Sequence, residues 1–166
     1  MHSDVEPIVE EAVTEPVKNP DRYHIDLEWY KKVDRSFTSM AEGRMCSSCR
    51  AKLGMEVETR VPVLDAKGTK VVFESRLVAY GSNPVTVIRD CCSESKGYIT
   101  ANMPWMEVAF RILLANGNQP LTVDEIAQQM TEHITYAGGS RTMSPESLAR
   151  MLKKDDYYGF NVIQVP

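Results

Sequence analysis

Apolar residues recur at helical spacing from Leu27 onward: Leu27, Tyr30, Val33, Phe37 and Met40 step by three or four, with Lys31, Lys32, Asp34 and Arg35 on the other side. Asp26 stands where an N-cap belongs, so the spacing predicts one helix that delivers the chain to Cys46. Trp29 lies off this stripe and is expected to pack on a second element. The period then changes to two. Val57, Thr59, Val61 and Val63 alternate with Glu56, Glu58, Arg60 and Pro62, and after Asp65-Ala66-Lys67-Gly68 the run from Lys70 to Val78 is rich in strand formers. A β-hairpin is expected here, with Pro62 holding the first strand to an edge.

Helical spacing returns after Gly81-Ser82-Asn83-Pro84, where Asn83 is placed to cap and Pro84 to open a helix through Asp90. Residues 104–116 form a strongly apolar helix, inward along Trp105, Val108, Ala109, Ile112 and Leu113 and stopped by Gly117. Thr122 and Glu125 make a capping box for a helix with Val123, Ile126, Ala127 and Met130 inward. A polar, glycine-rich loop is expected from His133 to Thr142. Ser144-Pro145 then caps a helix with Leu148, Met151 and Leu152 inward, and Tyr157 to Val165 ends as a strand or hairpin. The predicted fold class is α+β, mainly helical.

The formal net charge of -4 is uneven. Residues 1–22 hold six acids against Lys18 and Arg22, residues 23–100 carry +2 and residues 101–166 carry -2. Residues 1–19, with Pro7, Pro16 and no aromatic side chain, read as a disordered acidic tail, or as a docking segment using Val5, Ile8, Val9, Val13 and Val17. Neither remaining part is basic enough to coat nucleic acid nonspecifically, which leaves room only for a local basic face. No leader or membrane span is visible, so a cytoplasmic, reducing location is expected.

In such a compartment the four cysteines read as metal ligands before disulfides. Cys46 and Cys49 form Cys-x-x-Cys, and Cys91 and Cys92 are adjacent, with Arg44, Arg50, Lys52, Arg89 and Lys96 nearby to favour thiolates. All four are candidate ligands for Zn2+. Neighbouring residues of a regular helix or strand point apart, so Cys91 and Cys92 can both ligate only at an irregular turn; otherwise His24 or His133 completes a set of three cysteines and one histidine. A redox dithiol and unligated core thiols are the other readings. Residues 20–100 are thus expected to form a zinc-binding α/β module with the hairpin, followed by a separate domain over residues 101–166.

Ala109-Phe-Arg-Ile-Leu113, Pro120-Leu-Thr-Val-Asp-Glu-Ile-Ala127, Ser144 to Leu152 and Phe160-Asn-Val-Ile163 resemble the HARE-HTH-like winged-helix domains, over roughly residues 104–166. The whole chain also resembles bacterial proteins that pair a cysteine segment with this ending, a likeness that brings no activity with it. The family resemblance implies a winged helix-turn-helix, membership of transcription-associated or DNA-modifying proteins, and a recognition helix over residues 145–155. Arg141, Arg150, Lys153 and Lys154 would then meet nucleic acid, diluted by Glu146, Asp155 and Asp156. The alternative is an interaction module docked on a protein assembly. No phosphate loop, His-Glu-x-x-His or serine elbow is present, so an enzyme is not expected.

Overall fold

The computed structural model describes residues 20–163. The chain is α+β: seven helices and two small antiparallel sheets among the described residues. It opens with a strand that periodicity does not reveal, β1 (Arg22–Ile25), in which Tyr23 and Ile25 are buried. The helix expected from Asp26 to Met40 is two helices, α1 (Leu27–Lys32) and α2 (Phe37–Glu42). Asp26 and Ser36 cap them, with side chains accepting from the Glu28 and Ser39 amides. The break falls at Asp34, whose φ of 56° is left-handed and ends helical hydrogen bonding. It turns the stripe, leaving Leu27 and Val33 exposed while Tyr30 is sealed. Trp29 meets Tyr30 edge-on at 5.0 Å and packs on the core, as an off-stripe tryptophan should.

Two further short pieces carry cysteines: α3 (Ser47–Ala51), and α4 (Pro84–Asp90) followed by a 3-10 turn over Cys92–Glu94. Between them the hairpin forms as its alternation requires, from β2 (Glu56–Leu64) and β3 (Val71–Ala79). The apolar helix is α5 (Trp105–Ala115), buried on more than one face because Phe110 and Leu114 join Val108, Ala109, Ile112 and Leu113 in the interior. β4 (Leu121–Thr122) leads into α6 (Val123–Tyr136), where both halves of the predicted capping box are made. The loop expected from His133 starts later. Ile134 continues the apolar stripe of Ile126, Ala127 and Met130 and is fully buried, so the helix runs to Tyr136. Ser144 caps α7 (Pro145–Lys153), which buries Leu148 and Leu152, and β5 (Phe160–Ile163) follows.

The second sheet has the order β4-β1-β5, both pairings antiparallel. β1 is its middle strand, so a segment near residue 22 is hydrogen-bonded to residues near 122 and 163. Asn118 extends that sheet with a side chain: its amide accepts from Ile25 N and donates to Ile25 O at 2.8 and 2.9 Å, like one more strand residue. Gly159, at φ 77°, lets the turn before β5 press on α1, since a Cβ there would lie 2.7 Å from the Trp29 ring. Its carbonyl accepts from Asp26 N, and Asp155 closes the same turn by accepting from the amides of Tyr157, Tyr158 and Phe160.

Glu107 of α5 lies under these layers. Its carboxylate accepts from Arg44 through Nε and Nη2, from Arg111 Nε and from Tyr158 Oη, all at 2.9 Å. Burial alone would push this carboxyl up, but the hydrogen bonds from Arg44 and Arg111, with their charges, outweigh it and hold the group below its ordinary range. The depressed folded pKa means that stability is full above about pH 4.3, the unfolded value, and is lost as pH falls through the lower folded value. We predict that Glu107→Gln lowers unfolding stability by about 3 kcal/mol, because two half-buried arginines lose their counter-charge. Urea titrations across pH 3–7 will also show the variant losing less stability on acidification than the parent.

Candidate metal centre

The cysteines come together from elements far apart in sequence. Cys46 is the N-cap of α3 and Cys49 lies within that helix, so one helical turn sets their sulfurs on the same side. Cys91 follows α4 with φ −136° and ψ −63°, neither helix nor strand, and Cys92 opens the 3-10 turn. This is the irregular geometry that adjacent ligands need. The sulfurs of Cys46, Cys49 and Cys91 all lie within 4.8 Å of one another. Cys92 stands outside that mutual group, yet Cys46 and Cys49 are near enough to contribute to the upward shift of its thiol. Cys49 and Cys92 are buried, Cys46 is half-buried and Cys91 is exposed, and none is in a disulfide.

This spacing fits a metal. Four thiolates about 2.3 Å from a tetrahedral zinc stand about 3.8 Å apart, so the three clustered sulfurs need shift little and Cys92 must turn inward. Neither His24, on β1, nor His133, on α6, belongs to the cluster. His133 instead lines an open cleft whose other wall is residues 93–101, and burial pushes its pKa down.

The electrostatics differ in origin from the basic residues nearby in sequence. Arg44 is committed to Glu107, Arg50 donates to the carbonyls of Gly43 and Met45, and Arg89 pairs with Asp90. The Cys46 thiol is nevertheless pulled down to about 6, first by the Ser48 hydroxyl 3.3 Å away and then by the Cys49 amide at the start of α3. Cys92 is pushed up to about 12, chiefly by burial. Tyr80 Oη donates to Cys49 Sγ at 3.2 Å, a contact that holds the tyrosine proton and raises its pKa to about 12. Ser48 and Tyr80 escape motif reading because neither is a ligand type. Only the Cys-x-x-Cys spacing marks Ser48, and no sequence signal marks Tyr80.

The same elements found the hairpin. Its ladder continues one step past β2 and β3, with Tyr80 N donating to Met55 O at 2.7 Å and Gly54 N to Tyr80 O at 3.1 Å. Gly81, at φ 78°, fits against Leu53, where a Cβ would lie 2.4 Å from a methyl carbon. The open end of the hairpin therefore meets α3, with Tyr80 touching Cys49, and leads through Gly81 into α4.

The residues proposed for nucleic acid part company. Arg141 is not free: Nε and Nη2 donate to Ala101 O, Nη2 donates also to Met103 O, and the guanidinium stacks on Trp105 at 4.3 Å. Arg150, Lys153 and Lys154 are exposed at the end of α7, with Arg150 donating to the Ser147 hydroxyl. Of the tyrosine pair, Tyr158 packs on Phe110 and Phe160, while Tyr157 is half exposed beneath the Arg35 guanidinium at 4.5 Å. No helix among the described residues is long and apolar enough to cross a membrane. No family model matches the chain, and neither a curated protein nor a solved structure is significantly similar to it.

Tyr80 gives a direct test of the centre. Tyr80→Phe keeps the ring and removes the hydroxyl donor, and is expected to weaken retention of a bound metal ion about tenfold in a chelator competition while the circular dichroism spectrum is unchanged.

Proposed function

We propose that this chain is a zinc-stabilised binding protein in which the metal is structural and the hairpin it anchors is an interaction surface. The observation that carries the reading is the meeting of three cysteine sulfurs within 4.8 Å, with Tyr80, just past the end of β3, bonded to one of them. Four cysteine ligands close a zinc coordination shell and leave no position for water or substrate, which suits a structural rather than a catalytic ion. Four thiolates hold zinc, a single iron or an iron–sulfur cluster alike, and elemental analysis separates them. The interaction role rests on β2 and β3, whose faces carry Leu64, Val71, Phe73 and Leu77 in solvent. Protein expressed with zinc available is expected to contain about one zinc per chain by elemental analysis. Metal-free, fully folded protein overturns the reading.

A second reading has its own observation. α5, α6 and α7 followed by β5 run in the order of a winged helix-turn-helix, and the exposed end of α7 gathers Arg150, Lys153 and Lys154 away from buried Leu148 and Leu152. In that reading α7 contacts nucleic-acid phosphates within a transcription assembly, without Arg141. Removing the charges of Arg150 and Lys153 together is then expected to flatten the salt dependence of duplex DNA binding by about two in log–log slope. Thermal stability is expected to change by less than about 0.5 kcal/mol, since both side chains are exposed. A parent protein that does not bind duplex DNA at low salt removes this reading.

A further inference from the structure

We propose that the open edge of β3 pairs with β3 of a second copy of this chain, antiparallel about a two-fold axis through Ser75, to make a four-stranded sheet. The inference rests on the hairpin being an interaction surface and names its partner. The two-stranded sheet leaves one edge open on each strand among the described residues. β2 carries Pro62, which lacks an amide proton and spoils a ladder. β3 has no proline, runs nine residues, and is exposed at every position from Val71 to Leu77. A long apolar edge of this kind is a template for another strand, and a lone two-stranded ribbon is marginal in water.

The sequence of β3 indicates which strand fits. Placed antiparallel to itself with Ser75 opposite Ser75, Glu74 of each copy faces Arg76 of the other, Phe73 faces Leu77, Val72 faces Val78, and Val71 faces Ala79. Every charge meets its opposite and every apolar residue meets an apolar one. Directly opposed residues share a face, so the two ion pairs lie together on one side while the Phe73 and Leu77 pairs lie on the other. Phe73 and Leu77 are 60% and 70% exposed in the single chain, too much apolar surface for a strand meant to remain bare. Within one chain Arg76 already reaches Glu74 at 3.2 Å, so pairing converts an exposed contact along one strand into a four-charge cluster across two. A β2 edge centred on Arg60 would set Glu58 opposite Pro62 and gains no charge pair.

The zinc-loaded chain should sediment as a dimer that dissociates on dilution. Glu74→Arg puts arginine opposite Arg76, and Arg76→Glu puts glutamate opposite Glu74. Each is expected to raise the dissociation constant at least about tenfold, since two opposed pairs become like-charged at once. The double variant E74R/R76E restores both pairs and should return the constant to near that of the parent. At the axis, Ser75→Cys should give a covalent dimer on mild oxidation, because directly opposed Cα atoms stand about 4.5–5.5 Å apart. Leu77→Cys, displaced from its own copy along the strand, should not. A zinc-containing chain that stays monomeric at every concentration overturns the pairing and leaves the metal reading standing. A dimer indifferent to both single reversals, or one that the double variant fails to restore, overturns it equally.

Discussion

The carboxylate of Glu107 is where separate parts of this chain are held to one another. Arg44 comes from the segment between α2 and α3, Arg111 from the next turn of α5, and Tyr158 from the turn before β5. The polar groups around it tie further segments: Arg44 donates to Met40 O, Arg111 to Tyr98 O, and Tyr98 Oη to Arg111 O. A half-buried acid with two cations and a hydroxyl is costly to desolvate and tolerable only when every lone pair is met, which fixes the relative placement of all its partners. The aromatic layer of Phe110, Tyr158 and Phe160 packs beside it, with the Arg44 guanidinium 4.9 Å over the Phe110 ring. Hydrophobic burial supplies most of the stabilisation here, and the ion cluster decides which arrangement of the apolar surfaces is reached.

The cysteine centre stands at another junction, between packed core and projecting hairpin. Cys49 and Cys92 are buried in the same apolar cluster as Ile88 and Met45, so the site is continuous with the interior on one side. On the other it meets Tyr80 and Gly81, which follow β3 and pack on Cys49 and Leu53. Metal bound there would stiffen a ribbon that has little packing of its own.

How much of this is legible in the residues depends on the range of each interaction. The capping box at Thr122 and Glu125, the Ser144 cap, the Gly117 stop and the hairpin follow from neighbours within a few positions, and all are present. β1 offers only Tyr23 and Ile25 as a signal, too short a pattern to separate from a loop, and its partners lie more than ninety residues away. The break at Asp34 is hidden because Val33 and Phe37 keep helical spacing across it. The cysteines are readable as a set by type and spacing. Their pKa environment is not, because the cations beside them in sequence turn to Glu107, carbonyls and Asp90 in space. Arg141 misleads in the same way: a basic residue before a recognition helix suggests phosphate, while the folded chain gives it two carbonyls and the face of Trp105.

The placement of β1 also sets an order of events during synthesis. Arg22 and its neighbours are made about a hundred residues before Thr122, and β5 comes later still, so this strand must wait without a partner while everything between is translated. Local elements such as the hairpin and the capped helices can form in that interval, whereas the sheet can close only when β5 has been made. Until then the Tyr23 and Ile25 side chains have no sheet to enter, and the nascent protein exposes a sticky segment for the length of the wait.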